Sequence, residues 1–321
     1  MNHYLHRRFS CLVTTILGCL SCGFSVAQST APARYISPLH CTDKGKQDGM
    51  NIVENGGLRF KVSQKGHNEY NKLAISKTTS VSGETVGSFC FSSFPTRDDL
   101  DNGQFSKKLH FDLYDYADLN GNKKKELMRG GDKIFATFLV KFPTQAPNPE
   151  AGTKFDNGDV RYKRNLFFQF WPGGVATHLR SHPRDSPEGK AGKFGFVTVQ
   201  TGPYGVNQPT VSKGFEVEKD RWYRMYFEYH PSVTDGKIAA WIGPHQQGLR
   251  TRDMTKLVDL RGNTLYEDKP DRRILPTFGN YHFGDCATKV ETCFTEVLLS
   301  REPIEEHWIR QGEQHRPGKV R

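Results

Sequence analysis

The chain has 321 residues and carries 45 Lys and Arg against 35 Asp and Glu, a formal net charge of +10 at pH 7. After its N-terminal segment, no stretch approaches the roughly 18 apolar residues that a membrane span needs, which excludes a membrane-spanning protein. A basic chain is typical of proteins that meet an anionic partner, and nucleic acid, anionic lipid and acidic polysaccharide all qualify. A charge that serves solubility alone is the alternative.

The N-terminus is typical of a secretory signal peptide. Arg7 and Arg8 form its positive part, residues 11–24 its apolar part, and a small-residue cleavage site ends at Ala27. We expect cleavage after Ala27 and a secreted or periplasmic protein. A lipoprotein signal that ends at Cys19 is the alternative, and the residues before that cysteine fit it poorly.

Four cysteines remain outside the signal peptide: Cys41, Cys90, Cys286 and Cys293. An even number in an exported chain predicts disulfides. We expect Cys286 to pair with Cys293, which closes a short loop, and Cys41 to pair with Cys90 by elimination. Zinc is the rival interpretation, but these four lack the Cys-x-x-Cys spacing typical of zinc sites.

Residues 28–321 are predicted to form a single all-β domain, because alternating runs bounded by turn residues dominate and no repeat or linker interrupts them. The runs, in chain order, are Leu58–Val62, Lys107–Tyr114, Ile134–Phe142, Asn165–Trp171, Lys193–Thr201, Arg221–Tyr229 and Lys237–Ile242. Asp235-Gly236 predicts a hairpin turn between the last two. We expect a short helix at Ile304–Gln311 and surface loops at Pro143–Arg164 and Pro172–Gly192.

Many short strands without a repeat favour a concanavalin A-like β-jelly roll, a sandwich of two antiparallel sheets. One sheet would then present a concave face, and strand alternation indicates which side chains point to it.

The run Lys107–Tyr114 has one apolar and one polar face. Its alternate residues are Leu109, Phe111 and Leu113 on the first and His110, Asp112 and Tyr114 on the second. A core on one side and a polar cleft on the other would suit this pattern, and an ordinary solvated face is the alternative.

The run Asn165–Trp171 places an amide between aromatic residues. We expect Leu166, Phe168 and Phe170 on its core face and Phe167, Gln169 and Trp171 on the other. Exposed rings beside an amide suit sugar binding, because a ring stacks on the apolar face of a pyranose while the amide binds hydroxyls or carboxylates. A buried amide bonded to a neighbour is the alternative.

Basic residues cluster around this strand: Arg161, Lys163, Arg164 and Arg180. Arginine matches the geometry of carboxylate and sulfate with paired donors. We expect these residues to bind substrate, with a solvated basic surface as the alternative.

Two signals for metal binding are weak. His178-x-x-x-His182 has a useful spacing only on a helix, and the surrounding proline and glycine residues favour a loop. The segment Asp118-x-Asn120-Gly121-Asn122 resembles half of a calcium loop without its final Glu, which favours a plain turn over a structural calcium site. We expect no cofactor.

Four short motifs resemble, in their order, the jelly-roll polysaccharide lyases, especially the glucuronan-lyase and heparin-lyase-like group and more distantly the alginate lyases. They are Phe168-Gln169-Phe170-Trp171, the hairpin from Arg221-Trp222-Tyr223 to Trp241-Ile242-Gly243, Phe278-Gly279-Asn280-Tyr281, and the closing run Phe294–Ser300. The motifs together cover roughly residues 107–300. The alginate-lyase branch has His where this chain has Trp171 and Lys where it has Thr277, so the glucuronan-like branch is more similar.

The resemblance implies β-elimination at a uronic acid, in which a base removes the C5 proton and an acid protonates the departing C4 oxygen. Carried over, Tyr281 is the acid/base and Gln169 neutralises the carboxylate. His110 is the second neutraliser or the base. Separately from the resemblance, we expect Trp171 to contact substrate as an exposed ring beside the Gln169 amide. The implied partner is an acidic polysaccharide, and we expect a monomer.

Three other functions are considered as alternatives. A non-catalytic binder of acidic glycans on the same fold would fit the presence of Trp171. A glucan hydrolase needs two carboxylates at a set separation, whereas Asp112 and Glu228 lie on unrelated strands. A nucleic-acid binder fits the charge, but no recognised motif supports it, and we expect no nucleic-acid partner.

Overall fold

The structure is a computed structural model. Between residues 34 and 129 it describes only the strands given below, and after them it describes residues 131–143, 146, 153–154, 160–161, 164–171, 174–202, 210–265, 273–283 and 290–306. The signal peptide, Cys41, Lys163 and Cys286 lie outside the described residues. So do the half calcium loop and the part of the C-terminal helix beyond residue 306. No helix among the described residues is long and apolar enough to cross a membrane.

One sheet has eight strands, and all of its described pairings are antiparallel. Its strands are β1 (Arg34–Ile36), β5 (Lys72–Thr79), β6 (Thr85–Ser93), β10 (Ile134–Lys141), β18 (Trp222–His230), β19 (Gly236–Pro244), β20 (Thr255–Gly262) and β22 (Val290–Ser300). The order across the sheet is β20-β19-β18-β10-β22-β6-β5, with β1 also paired to β22.

The other sheet has twelve strands. They are β2 (Thr42–Gln47), β3 (Met50–Asn55), β4 (Leu58–Lys65), β7 (Ser106–Tyr116), β8 (Lys124–Lys125), β9 (Met128–Arg129), β13 (Arg164–Trp171), β14 (Val175–Arg180), β15 (Gly195–Thr201), β16 (Thr210–Val211), β17 (Phe215–Val217) and β21 (Arg273–Phe283). The main order is β16-β15-β14-β13-β21-β7-β4-β3-β2. This order brings β7, β21, β13, β14 and β15 side by side.

Three small elements complete the described secondary structure. Strands β11 (Thr153–Lys154) and β12 (Val160–Arg161) form a separate antiparallel ribbon, helix α1 spans Pro187–Lys190, and a 3-10 helix spans Thr251–Asp253. The Ser186 side chain caps α1 by accepting a hydrogen bond from the Gly189 amide. Such a cap satisfies one of the amide donors that a helix start leaves unpaired.

The two sheets pack through an aromatic core. The ring of Phe138, from the eight-stranded sheet, lies 4.8 Å from Phe168 and 5.1 Å from Phe278 of the twelve-stranded sheet, centroid to centroid. Phe227 lies 5.0 Å from Phe168. Rings at such separations add to the stability that their burial already provides, because their edges and faces attract. The all-β jelly-roll sandwich predicted from the sequence is confirmed.

The predicted strands are observed with small changes at their ends, and β18 and β19 form the predicted hairpin at Asp235-Gly236. The loop predicted at Pro172–Gly192 is wrong in its centre, because β14 and α1 lie there. In β14, core-facing Val175, Thr177 and Leu179 alternate with Ala176, His178 and Arg180. The loop predicted at Pro143–Arg164 contains the β11–β12 ribbon.

The predicted disulfides are also wrong. Cys90 is bonded to Cys293, with their Cα atoms 4.1 Å apart. The two cysteines are direct cross-strand partners on β6 and β22. Cys293 therefore does not pair with Cys286, and Cys90 does not pair with Cys41, because sheet register places Cys90 directly opposite Cys293.

Candidate functional site

The candidate site lies on the face of the twelve-stranded sheet that points away from the aromatic core, which we call the outer face. Its central row crosses the strands: Thr277 pairs with Gln169, Gln169 with Ala176, and Ala176 with Gln200. Direct cross-strand partners have side chains on one face, with Cβ atoms about 4.5–5.5 Å apart. The sheet therefore collects polar residues that are far apart in sequence.

A β-bulge sets which residues of β13 reach this face. Leu166 pairs with His178 and Phe168 with Thr177, so Phe167 is an extra residue on β13. Phe167 and Phe168 both enter the core, while Leu166 lies in a separate small cluster with Ala176. The faces predicted for Leu166 and Phe167 are therefore wrong, because a bulge breaks the alternation on which they were based.

Gln169 is on the outer face as predicted, between Thr277 on β21 and Ala176 on β14. Its exposed fraction is 7%, and that of Thr277 is 2%. A primary amide offers two N–H donors and a carbonyl acceptor. In a site largely shielded from water, such dipoles interact more strongly with a charged ligand than they do in water.

The other two proposed catalytic residues occupy neighbouring register positions. The backbone of His110 on β7 pairs with Gly279 on β21, and that of Tyr281 pairs with Leu166 and Lys108. Gly279 has φ +152°, a backbone conformation that favours glycine. The sheet thus brings the backbones of His110, Gln169 and Tyr281 onto three adjacent strands.

The predicted substrate-binding residues are only partly brought together. Arg164 and Arg180 are direct cross-strand partners on β13 and β14, and the Arg180 Nε donates a hydrogen bond of 3.0 Å to Thr198 Oγ1. Trp171 ends β13 opposite Leu275. Arg161 belongs to the β11–β12 ribbon rather than to this sheet.

Three further outer-face residues were not predicted to bind substrate: His178 on β14, which was considered only as a metal ligand, and Thr198 and Gln200 on β15. His178 pairs with Leu166 and Thr198 in the ladder, and its exposed fraction is 0%. The signal that could have found His178 is the alternation of apolar and other residues from Val175 to Arg180. Its proline- and glycine-rich flanks indicated a loop instead.

His178 and His182 have the spacing of a helical metal site but do not lie on a helix, because His178 belongs to β14 and His182 follows that strand. His182 Nε2 is 2.9 Å from Glu216 Oε2, and its ring packs against Phe196. Among the described residues, one cluster has ligand types for a metal, Cys90 with Glu291 and Cys293. Its two cysteine sulfurs already form the disulfide.

No protein-family model matches the sequence, and no curated protein is significantly similar to it. Among solved structures, the chain is similar to the catalytic domain of the glycoside hydrolase family 131 protein from Coprinopsis cinerea, with 10% identity and a TM-score of 0.41 over 68% of this chain and 72% of that one. A GH131 β-glucanase catalytic domain from Podospora anserina gives 9% and 0.41, over 75% and 87%.

The binding domain of botulinum neurotoxin serotype C1 is similar with 7% identity and a TM-score of 0.41. The match covers 87% of this chain and 52% of that one, so the chain spans about half the length of this neighbour. Likeness at this level is too low to carry a function from these proteins to this chain.

Proposed function

We propose that the protein is an exported polysaccharide lyase that cleaves an acidic, uronate-containing polysaccharide by β-elimination. The observation that supports it most is the ladder register across β7, β21 and β13. It brings the backbones of His110, Tyr281 and Gln169 to adjacent strands around the buried Thr277. The net charge of +10 favours an anionic polymer as the partner.

The proposed reaction breaks two bonds and forms a double bond. A base removes the C5 proton of the uronate, the C5–H electrons form the C4=C5 double bond, and the C4–O bond breaks. A proton donor then supplies the departing C4 oxygen with its proton. We assign acid/base work to Tyr281, with His110 as a second neutraliser or the base.

Gln169 has the task of making the C5 proton acidic. The negative charge that develops on the uronate carboxylate during proton removal must be stabilised, and the Gln169 amide can donate to it. Donors fixed in advance at developing charge are usually the largest source of rate. The backbone of Gln169 is held in place because β13 is paired with β14 on one side and with β21 on the other.

The test is incubation of the pure protein with glucuronan, heparin, heparan sulfate, hyaluronan and alginate. The expected result is an ultraviolet-absorbing unsaturated sugar from at least one of them. Tyr281→Phe should abolish this activity and leave the fold intact. Tyr226→Phe is the matched control, because Tyr226 lies on the eight-stranded sheet, where its ring packs against Trp241. Retained turnover in Tyr281→Phe would remove Tyr281 from its role.

A second candidate function is non-catalytic binding of acidic glycans. The observation that favours it is Thr277, a buried uncharged residue in the middle of the row where the alginate-lyase branch has a lysine. Binding of the polymers without any unsaturated product, unaffected by His110→Ala, would support this function over the lyase.

A further inference from the structure

The central row of the outer face continues beyond Gln169 to a second amide. Ala176 on β14 pairs with Gln169 on one side and with Gln200 of β15 on the other. The short alanine side chain therefore lies between two longer amides. Each amide has two donors and an acceptor. Two hydrogen-bonding positions therefore flank one apolar position.

Gln169, Ala176 and Gln200 keep more contact with solvent than Thr277 of the same row, which is 2% exposed, and than two neighbours on the same face. The exposed fractions of Gln169, Ala176 and Gln200 are 7%, 8% and 9%, whereas those of His178 and Thr198 are 0% and 3%. A ligand that approaches the sheet here would meet the two amides and the alanine first.

The space between the amides has an apolar base. Ala176 forms a two-residue cluster with Leu166, separate from the aromatic core. Apolar carbon beneath hydroxyl-binding amides suits a pyranose ring, which has C–H bonds on its faces and hydroxyls around its edge. Sugar sites in general join apolar contact area with a few placed polar groups.

The distance between the amides indicates more than one sugar unit. Gln169 and Gln200 lie two strands apart, roughly 10 Å at the usual spacing of about 4.8 Å between strands. A single pyranose would have to lie in line between the amides to bind both. A polysaccharide chain that runs across the strands would present successive units to them.

We propose that Ala176, Leu166 and Gln200 form a second sugar subsite, which binds a unit of the polysaccharide neighbouring the one held at Gln169. Gln200 supplies the hydrogen bonds and the Leu166–Ala176 cluster the apolar contact. This inference deepens the proposed function and rests on it for the polymer class, since Gln169 would hold the reacting uronate. Gln200 is thus a positioning and specificity residue and takes no part in proton transfer.

The test compares Gln200→Ala and Ala176→Leu with the wild-type protein. The probes are the single uronic acid units and the size-fractionated oligosaccharides of six sugar units from glucuronan, heparan sulfate, hyaluronan and alginate. Loss of one neutral hydrogen-bonding group should weaken binding of the six-unit probes about tenfold. It should affect one-unit probes much less, because a single unit cannot fill both subsites. Ala176→Leu should have the same direction of effect, because its larger side chain occupies the space for the ring.

The matched control is Gln246→Ala, since Gln246 is an exposed glutamine in the segment after β19. Its affinity for both probe lengths should equal that of the wild type. Thermal unfolding of each variant checks that β15 remains folded. In an active protein the Gln200→Ala effect should fall mainly on KM, as expected for binding shared by ground and transition states.

The possible outcomes distinguish a failure of the proposed subsite from a failure of the proposed lyase activity. If the wild type cleaves a polymer and Gln200→Ala binds six-unit probes as the wild type does, the subsite is wrong while the lyase stands. If no probe is cleaved but Gln200→Ala and Ala176→Leu both weaken binding of the long probes, the subsite stands and the lyase is wrong. Absence of wild-type binding to every probe would overturn the subsite.

Discussion

Gln169 and Thr277 lie at the centre of the candidate site, and neither carries a charge. Both are almost fully buried, with exposed fractions of 7% and 2%. Under the proposed function, a uronate carboxylate at this centre would be stabilised by dipoles rather than by a full positive charge. The direction of the Gln169 amide dipole therefore decides whether the centre attracts or repels the substrate.

Gln169→Glu is predicted to lower lyase turnover by about 10²–10³-fold, the usual cost of losing one donor at developing charge. The substitution keeps size and shape but replaces the N–H donors with acceptor oxygens that repel the uronate. Release of unsaturated sugar by the variant and the wild type is the measurement. Gln246→Glu, on the exposed segment after β19, is the control and should retain full activity. Equal rates for all three proteins would contradict a carboxylate-binding role for Gln169.

His245 is a partly buried histidine far from this row, directly after β19. Its pKa is lowered from 6.5 to about 4, mainly by burial and also by the nearby positive charge of Arg224, while the Glu296 carboxylate opposes them. Its backbone amide donates to the Trp222 carbonyl at 2.9 Å. The folded protein therefore holds this imidazole neutral at a pH where the unfolded chain would protonate it.

The protein is predicted to lose stability as the pH falls from 6.5 towards 4. Above pH 6.5, His245 is neutral in both states, and below it the unfolded state binds a proton that the folded state excludes. Between pH 7 and pH 5 the loss from this residue is about 2 kcal/mol. Urea unfolding at both pH values, with the wild type and His245→Asn, measures it. If the variant and the wild type lose the same free energy of unfolding, the neutral buried state of His245 is wrong.

At the scale of elements, an irregularity in β22 supports a buried ion pair. The register between β10 and β22 shifts between Thr137 and Leu139, and Glu296 on β22 has φ +49°, which is rare for a residue other than glycine. The Glu296 carboxylate accepts a hydrogen bond from the Arg224 guanidinium of β18. The side chain of Arg224 is only 4% exposed. The bulge thus supplies a counter-charge to a cation that is held away from water.

Glu296→Gln is predicted to destabilise the protein by about 3–5 kcal/mol, because it removes the carboxylate that accepts a hydrogen bond from the buried Arg224 guanidinium. Adding Arg224→Met should recover part of that loss, since the double variant no longer buries a cation at this position. Chemical unfolding of the single and double variants is the measurement. Asp259→Asn is the control: it breaks the half-exposed pair with Lys256 and should cost no more than about 1 kcal/mol. A double variant less stable than Glu296→Gln would contradict this account.

How much of the fold could be predicted depended on how local each signal was. Alternation along β10, β18 and β19 was sufficient, because each of these runs follows a regular two-residue period. It failed at Phe167, since the bulge there depends on the pairing partners of β13. It also missed β14, because the flanking glycine and proline residues indicated a loop.

Prediction of the candidate site from the sequence was limited to local signals in the same way. Gln169 stood out from its own strand, whereas Gln200 and His178 became relevant only when β14 and β15 were seen beside β13. Neighbours across a sheet depend on strand order, and a single sequence does not contain that order in any local pattern.

At the scale of the whole molecule, the Cys90–Cys293 disulfide joins β6 and β22, two neighbouring strands of one sheet that are 203 residues apart in sequence. Around it, Phe91 and Phe294 pack edge to face with their ring centroids 5.7 Å apart. The cross-link therefore connects early and late parts of the chain beside the aromatic core. Its loss would enlarge the unfolded ensemble more than the loss of a short-loop disulfide would.

The double variant Cys90→Ser with Cys293→Ser is predicted to lose about 2–5 kcal/mol of stability, since it removes the restriction that the cross-link places on the unfolded chain. Thermal unfolding of the variant, and of the wild type with and without reductant, is the measurement. Proteolysis of the unreduced wild type should release a peptide in which Cys90 is joined to Cys293. A peptide joining Cys286 to Cys293, with the variant as stable as the wild type, would contradict this pairing. The reduced wild type should resemble the variant, because both lack the same covalent link between β6 and β22.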